Sequence, residues 1–165
     1  MVRGVYATML GQAEPARWVS LPYGEAGTWA TVAAMRQVAR EAARNPFIVD
    51  TARAIHAGDP VQLRNWLQAH FRFQLDPQVY EAIWTPLAQL QQISRRGYAL
   101  GDCDDAAVLG AALALASGLP VRFVLLAFDR GMYSHVYAEA GGIELDVTKP
   151  SQRVAPAVRR ASVEV

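Results

Sequence analysis

The chain has 165 residues, which suits one domain with a single core, and its hydrophobic fraction of 52% is that of an ordinary globular protein. Its formal net charge of +1 gives no reason to expect nucleic acid or an anionic membrane as a partner. The longest apolar run, residues 106–116, is too short to span a bilayer, and residues 1–10 lack the apolar core of a signal peptide.

The N-terminal part of the chain is rich in proline and glycine. Pro15, Pro22, Gly24 and Gly27 predict an extended arm over residues 1–27. Thr28 is the predicted N-cap of the first helix, because apolar residues recur at near-helical spacing after it.

Three dipeptides then share one helix-start signature: Asn45-Pro46, Asp59-Pro60 and Asp76-Pro77. The side-chain oxygen of the first residue can accept an unpaired backbone N–H, and proline lacks the donor that would be unpaired there. We expect helices over residues 46–57 and 60–71, and a short helix from Pro77.

The next predicted helix begins after Asp102 and runs to Ser117, with Gly118 just past its end. Residues 106–116 are apolar nearly all round, which indicates a helix that is buried on most faces.

Three strands are predicted after this helix, over residues 121–128, 133–140 and 143–148, the first as a central strand. Gly141-Gly142 between the last two indicates a two-residue hairpin turn. Helices followed by an antiparallel sheet predict an α+β fold. Residues 151–165 carry several arginines and predict a solvated tail, with a docking segment as the alternative.

Cys103, the single cysteine, lies in the first turn of the apolar helix. A helix N-terminus stabilises a thiolate, and its N–H groups can hold an oxyanion. Asp102, Asp104 and Asp105 would raise the pKa of the thiol if they pointed at it. We expect Asp102 and Asp105 to cap the helix instead. The alternative is that Cys103 is an inert, buried small residue.

The hairpin places His135 and Asp146 on one face. A turn at Gly141-Gly142 sets Tyr137 opposite Asp146 and His135 opposite Thr148, so His135 and Asp146 become diagonal neighbours. The carboxylate could then fix the imidazole tautomer and support its positive charge. If Cys103 is left out of the argument, His135 and Asp146 are equally well explained as ordinary residues on the solvent face of a half-exposed hairpin.

Several segments together resemble the transglutaminase-like superfamily, a papain-type class of thiol enzymes, over residues 21–150. They are Gly101-Asp102-Cys103-Asp104-Asp105, Gly118-Leu119-Pro120-Val121, Ser134-His135-Val136-Tyr137 and Leu145-Asp146-Val147-Thr148. The resemblance implies a transglutaminase-like domain over residues 28–150, with Cys103 as nucleophile, His135 as base and Asp146 as the residue that orients it. Compact members of the class resemble phage and prophage proteins, some of them virion or tail components.

The leading hypothesis is therefore a cysteine peptidase, amidase or acyl-transferase that acts on a peptide or protein amide. The alternative is a phage virion or tail protein that keeps the fold with little or no turnover, partnered by phage structural proteins. No cofactor and no metal are expected, because Cys103 is alone and the histidines lack ligand spacing. A cytoplasmic or virion-associated location is expected. Gln89, Gln91 and Gln92 remain open as a second oxyanion donor.

Overall fold

A computed structural model describes residues 15–19, 24–75, 81–147 and 156–165. In this part of the chain five helices and eight strands form an α+β fold. The helices are α1 (Glu25–Ala42), α2 (Pro46–Ala54), α3 (Pro60–His70), α4 (Pro86–Arg96) and α5 (Cys103–Ala116). The strands are β1 (Ala16–Val19), β2 (Phe71–Phe73), β3 (Glu81–Trp84), β4 (Ala99–Gly101), β5 (Val121–Ala127), β6 (His135–Ala140), β7 (Ile143–Glu144) and β8 (Arg159–Glu164).

Two of the predicted proline helix starts are confirmed. The Asn45 side chain accepts the N–H of Phe47 at the start of α2, and the Asp59 side chain accepts that of Val61 at the start of α3. Helix α2 ends at Ala54, earlier than predicted, because the chain turns through His56 at φ 56°. The predicted start at Pro77 lies outside the described residues.

Helix α4 was not predicted, although it uses the same signature. Thr85 precedes Pro86 and caps the helix by accepting the N–H of Ala88, and Gly97 ends it with φ 87°. A threonine cap is physically equivalent to the aspartate and asparagine caps of the neighbouring helices. The signal was therefore present in the sequence and was missed.

The prediction that Thr28 caps the first helix is wrong. Helix α1 begins at Glu25, with Gly24 as its N-cap at φ 74° and no side chain capping it. Glycine reaches this left-handed backbone region without steric cost and turns the chain directly into the helix. Thr28 therefore lies one turn inside α1.

Helix α5 is the centre of the fold, as its apolar sequence predicts. Residues 104–114 are all buried, and the helix packs against α1, α2, α3 and β6. It ends at Ala116, and Gly118 follows at φ 78°. The observed limits agree with the predicted ones to within a residue.

The main sheet has four antiparallel strands in the order β7-β6-β5-β8, so β5 is central, as predicted. The hairpin register is confirmed, since Ala140 pairs with Ile143 and both turn glycines have positive φ. Strand β7 is shorter than predicted, although the Leu145 N–H still bonds the Ala138 carbonyl. Thr148 lies outside the described residues.

The C-terminal segment is not a solvated tail in its described part. Residues 159–164 form β8, which pairs with β5 along its whole length. The side chains alternate between half-buried and exposed, and Val163 packs against the core. This period of two was visible in the sequence, but the arginines led to the wrong interpretation.

The N-terminal arm also contains ordered structure. Strand β1, in the arm, pairs with β3 in a separate two-stranded sheet; outside the arm, β2 pairs in parallel with β4 in another. An extended arm was predicted here, but not its pairing. No helix in the described ranges is long and apolar enough to cross a membrane.

Candidate functional site

A cleft of about 460 Å³ opens at the N-terminus of α5. Helix α1, the segment before and into β6, and Leu125 of β5 form its walls around Cys103. Its lining residues are Gly24, Gly27, Thr28, Thr31, Val32, Met35, Asp102, Cys103, Asp104, Leu125, Met132, Tyr133, Ser134, His135 and Val136. The predicted nucleophile and the predicted base therefore border the same cavity.

A capping box fixes the turn that presents Cys103. The Asp102 side chain accepts the N–H of Asp104, and the Asp105 side chain accepts the N–H of Asp102. The prediction that Asp102 and Asp105 bond the backbone is confirmed. Such reciprocal bonds satisfy the donors at a helix start and fix the backbone of its first turn.

Asp105 also ties this turn to the rest of the domain. Its second carboxylate oxygen accepts the N–H of Trp84 at 2.7 Å. Gly101 makes room for this carboxylate, because a Cβ at that position would lie 2.7 Å from Cβ of Asp105. The Gly-Asp-Cys-Asp-Asp motif thus holds the turn through residues on both sides of the cysteine.

The environment of Cys103 raises the pKa of its thiol well above the ordinary value of 9.0. Desolvation is the largest cause, followed by the negative charges of Asp104 and Asp102. Hydrogen bonds from the backbone N–H groups of Val136 and of Cys103 itself act in the opposite direction. The thiol is therefore protonated at rest, and the expected stabilisation by the helix N-terminus is outweighed.

His135 and Asp146 form a direct pair, with Nε2 of the imidazole 2.7 Å from Oδ2 of the carboxylate. Their side chains are 7% and 1% exposed, so they are not solvent-face residues of the hairpin. A carboxylate bonded to Nε2 favours the proton on that nitrogen, which leaves a lone pair on Nδ1.

The first residues of β6 connect the two parts of the site, Cys103 on one side and the His135–Asp146 pair on the other. The backbone N–H of Val136, directly after His135, bonds the Cys103 sulfur. The His135 ring also approaches Phe128 and Tyr137, with ring centres 6.4 and 6.3 Å away. His135 therefore stands at the first position of β6, between the cleft and a small apolar cluster that includes Tyr137 and Phe128.

Of the three glutamines left open as oxyanion donors, none lines the cleft. Gln89 is fully buried and donates its amide to the carbonyls of Trp84 and Asp105. Gln92 accepts the N–H of Leu100 and borders a different cavity. Gln89 supports the turn that carries the cysteine and has no amide proton left for a substrate.

Sequence reasoning missed the wall of the cleft that α1 provides. Thr28, Thr31 and Met35 all line the cavity, together with Val32. Their spacing of three and four residues places them on one helix face, which could have revealed a common surface. The wrong start predicted for α1 hid this common face, because it made Thr28 the N-cap and not a residue inside the helix.

The three aspartates around Cys103 are the described residues with metal-ligand geometry, since one oxygen from each lies within 4.8 Å of the others. Backbone N–H groups of Asp104, Trp84 and Asp102 already occupy oxygens of Asp102 and Asp105. The cluster therefore acts as a helix cap, and no residue is assigned to a metal or cofactor.

Three comparisons, with models of protein families, with curated proteins and with solved structures, find no match.

Proposed function

We propose that the protein is a thiol-dependent acyl-transfer enzyme that attacks an amide carbonyl, with Cys103 as nucleophile, His135 as general base and Asp146 as the residue that orients the imidazole. One observation carries the proposal: Cys103, at the N-terminus of α5, and His135, whose imidazole is bonded to the buried Asp146, border a single cleft.

The chemistry begins with a neutral thiol, because its pKa is raised. As the Cys103 sulfur bonds to the substrate carbonyl carbon, Nδ1 of His135 takes the thiol proton. Asp146 stabilises the imidazolium through Nε2. The imidazolium then gives its proton to the leaving amine as the C–N bond breaks, which leaves a thioester on Cys103.

The second half of the reaction releases the acyl group. Water attacks the thioester in a hydrolase, or an amine does so in a transferase, and His135 again takes the proton. The N–H of Cys103, at the positive end of α5, is the proposed donor to the oxyanion.

The rate of alkylation of Cys103 by iodoacetamide, followed by intact-protein mass at pH 7.5, tests the assignment. His135→Ala should lower this rate at least about tenfold, because the variant lacks the proton acceptor. His56→Asn is the matched control, since His56 is exposed and asparagine tolerates its φ of 56°. Equal rates in the wild type and His135→Ala would overturn the base assignment.

Turnover is the second test. Amide cleavage of a denatured protein substrate or of a peptide library should be lost in Cys103→Ser. Full retention of that cleavage in the variant would rule out Cys103 as the nucleophile.

A structural role, such as that of a phage virion component, is the second candidate. The raised pKa of Cys103 favours it, since a thiol protonated at rest is less reactive. This role predicts that Cys103 is alkylated only after unfolding, and equally in the wild type and His135→Ala.

A further inference from the structure

The cleft beside Cys103 has an apolar floor. Val32, Met35 and Leu125 line it and are buried between 0 and 4% exposure. Met132 lies at the same cavity and is 54% exposed, so it adds an accessible apolar side chain to the rim of the cleft. The volume of about 460 Å³ is in the range of pockets that bind small ligands.

The carboxylates of the aspartates are the formal charges that line the cleft, and they are negative. Asp102 and Asp104 are the anionic residues at its inner end, and no lysine or arginine belongs to its described lining. Thr28 and Thr31 add neutral hydroxyl groups on the α1 side. An acidic group that entered would lose water, meet like charge and find no cation to pair with.

We propose that this cleft binds an uncharged, mainly apolar side chain of the acyl donor, next to the amide that Cys103 attacks, and rejects acidic side chains. The inference rests on the proposed function of the same site. It names the class of substrate: peptides with an apolar residue on the acyl side of the cleaved amide.

Matched acyl-capped leucine, phenylalanine and glutamate chloromethyl ketones test it. In the labelling step the Cys103 sulfur bonds to the probe methylene carbon, chloride leaves and the thiol proton passes to His135. The leucine and phenylalanine probes should label Cys103 at least about tenfold faster than the glutamate probe, a difference of about 1.4 kcal/mol.

A variant that adds a positive charge to the cleft wall sharpens the experiment. Thr31→Lys places a cation on the cleft wall and should reduce the preference for leucine over glutamate, whereas Gln37→Lys adds the same charge on the exposed face of α1 and should not. Equal leucine and glutamate rates, still dependent on His135, would overturn the substrate class alone. If His135→Ala left the labelling rate of every probe unchanged, the proposed function itself would be overturned.

A separate set of contacts concerns Arg159 on β8. Its Nη2 lies 2.9 Å from Oε1 of Glu25, and its Nη1 donates to the carbonyl of Gly131 at 3.0 Å. The guanidinium also lies over the Tyr133 ring, 4.7 Å from the ring centre. Tyr133 in turn meets Trp29 of α1 edge to face.

These contacts join the two walls of the cleft. Glu25 and Trp29 belong to the first turns of α1, while Gly131 and Tyr133 belong to the segment that leads into His135. We infer that Arg159 is a positioning residue that sets the distance between these walls. An exposed ion pair alone contributes little to stability, but a planar guanidinium can hold all three groups at once.

Arg159→Gln should lower the labelling rate with the leucine chloromethyl ketone at least about threefold, a modest part of what one contact can contribute. Labelling by iodoacetamide, which is too small to need both walls, should stay within about twofold. Arg159→Lys should recover part of the rate through Glu25. Arg160→Gln is the control, because Arg160 approaches Glu139 instead.

Two results would overturn this second inference. One is an unchanged rate with the leucine probe in Arg159→Gln. The other is an equal fall of both rates together with a lower melting temperature, which would indicate general destabilisation.

Discussion

Nε2 of His135 and Oδ2 of Asp146 lie 2.7 Å apart, with both side chains almost completely buried. The two residues stand on either side of the Gly141-Gly142 turn, so the hairpin itself brings them together. Because neither side chain is exposed to water, this hydrogen bond satisfies one nitrogen of a buried imidazole and one oxygen of a buried carboxylate.

Asp146→Asn should lower amide-cleaving activity, and the rate of Cys103 alkylation, by about 10²- to 10⁴-fold. Asparagine keeps the approximate shape but no longer supports the imidazolium. The free energy of unfolding should fall by about 1–3 kcal/mol because a buried polar contact is weakened. Urea unfolding measures this loss, and an unchanged alkylation rate would contradict the orienting role.

Asp104→Asn should increase the alkylation of Cys103 at pH 8 by roughly 3- to 10-fold, because removing one nearby negative charge lowers the pKa of the thiol. Asparagine can still accept the N–H of Asp105 through its side-chain oxygen. Asp50→Asn is the control, since Asp50 is exposed on α2. A slower reaction in Asp104→Asn would show that the carboxylate assists the cysteine.

The stability of the protein should depend on Cys103 at alkaline pH. Its folded pKa is raised above the ordinary 9.0, so the folded state retains a proton that the unfolded state releases. The stabilisation is complete below about pH 9 and is lost as the pH rises further, by up to about 1.4 kcal/mol per pH unit.

Urea unfolding of the wild type and Cys103→Ala between pH 7 and pH 10.5 measures this dependence. The wild type should lose stability faster than the variant above pH 9. Tyr137, whose pKa is also raised by desolvation, is present in both proteins and cancels in the comparison. A constant difference over the whole range would contradict a raised pKa for Cys103.

Gly101→Ala should destabilise the protein by about 1–3 kcal/mol, because the new methyl group would overlap the Asp105 side chain. The capping box would be displaced, so Cys103 alkylation should change as well. Gly58→Ala meets no atom within 4 Å and should change stability by less than about 0.5 kcal/mol. Thermal unfolding distinguishes the two variants, and equal melting temperatures would contradict the packing argument.

Local signals in the sequence predicted much of the fold. Asn45 and Asp59 start their helices because a side-chain cap depends only on residues two or three positions away. The Gly141-Gly142 turn sets the register of its hairpin for the same reason, and that register places His135 and Asp146 on one face. The uniformly apolar sequence of α5 required burial on every side.

Features of the fold that depend on residues far apart in the sequence could not be predicted from such local signals. Strand β8 pairs with β5, more than thirty positions earlier, and the alternation that is visible in residues 159–164 does not specify this partner. The placement of Thr28 and Thr31 beside Cys103 follows from how α1 packs on α5.

The sequence by itself determined the local backbone around Cys103, His135 and Asp146, the three residues to which the proposed chemistry is assigned. Only the tertiary structure decided that the cysteine and the histidine border one cleft and that the thiol is protonated at rest. The reason is physical: caps and turns act over a few bonds, whereas desolvation and charge proximity depend on which surfaces pack together.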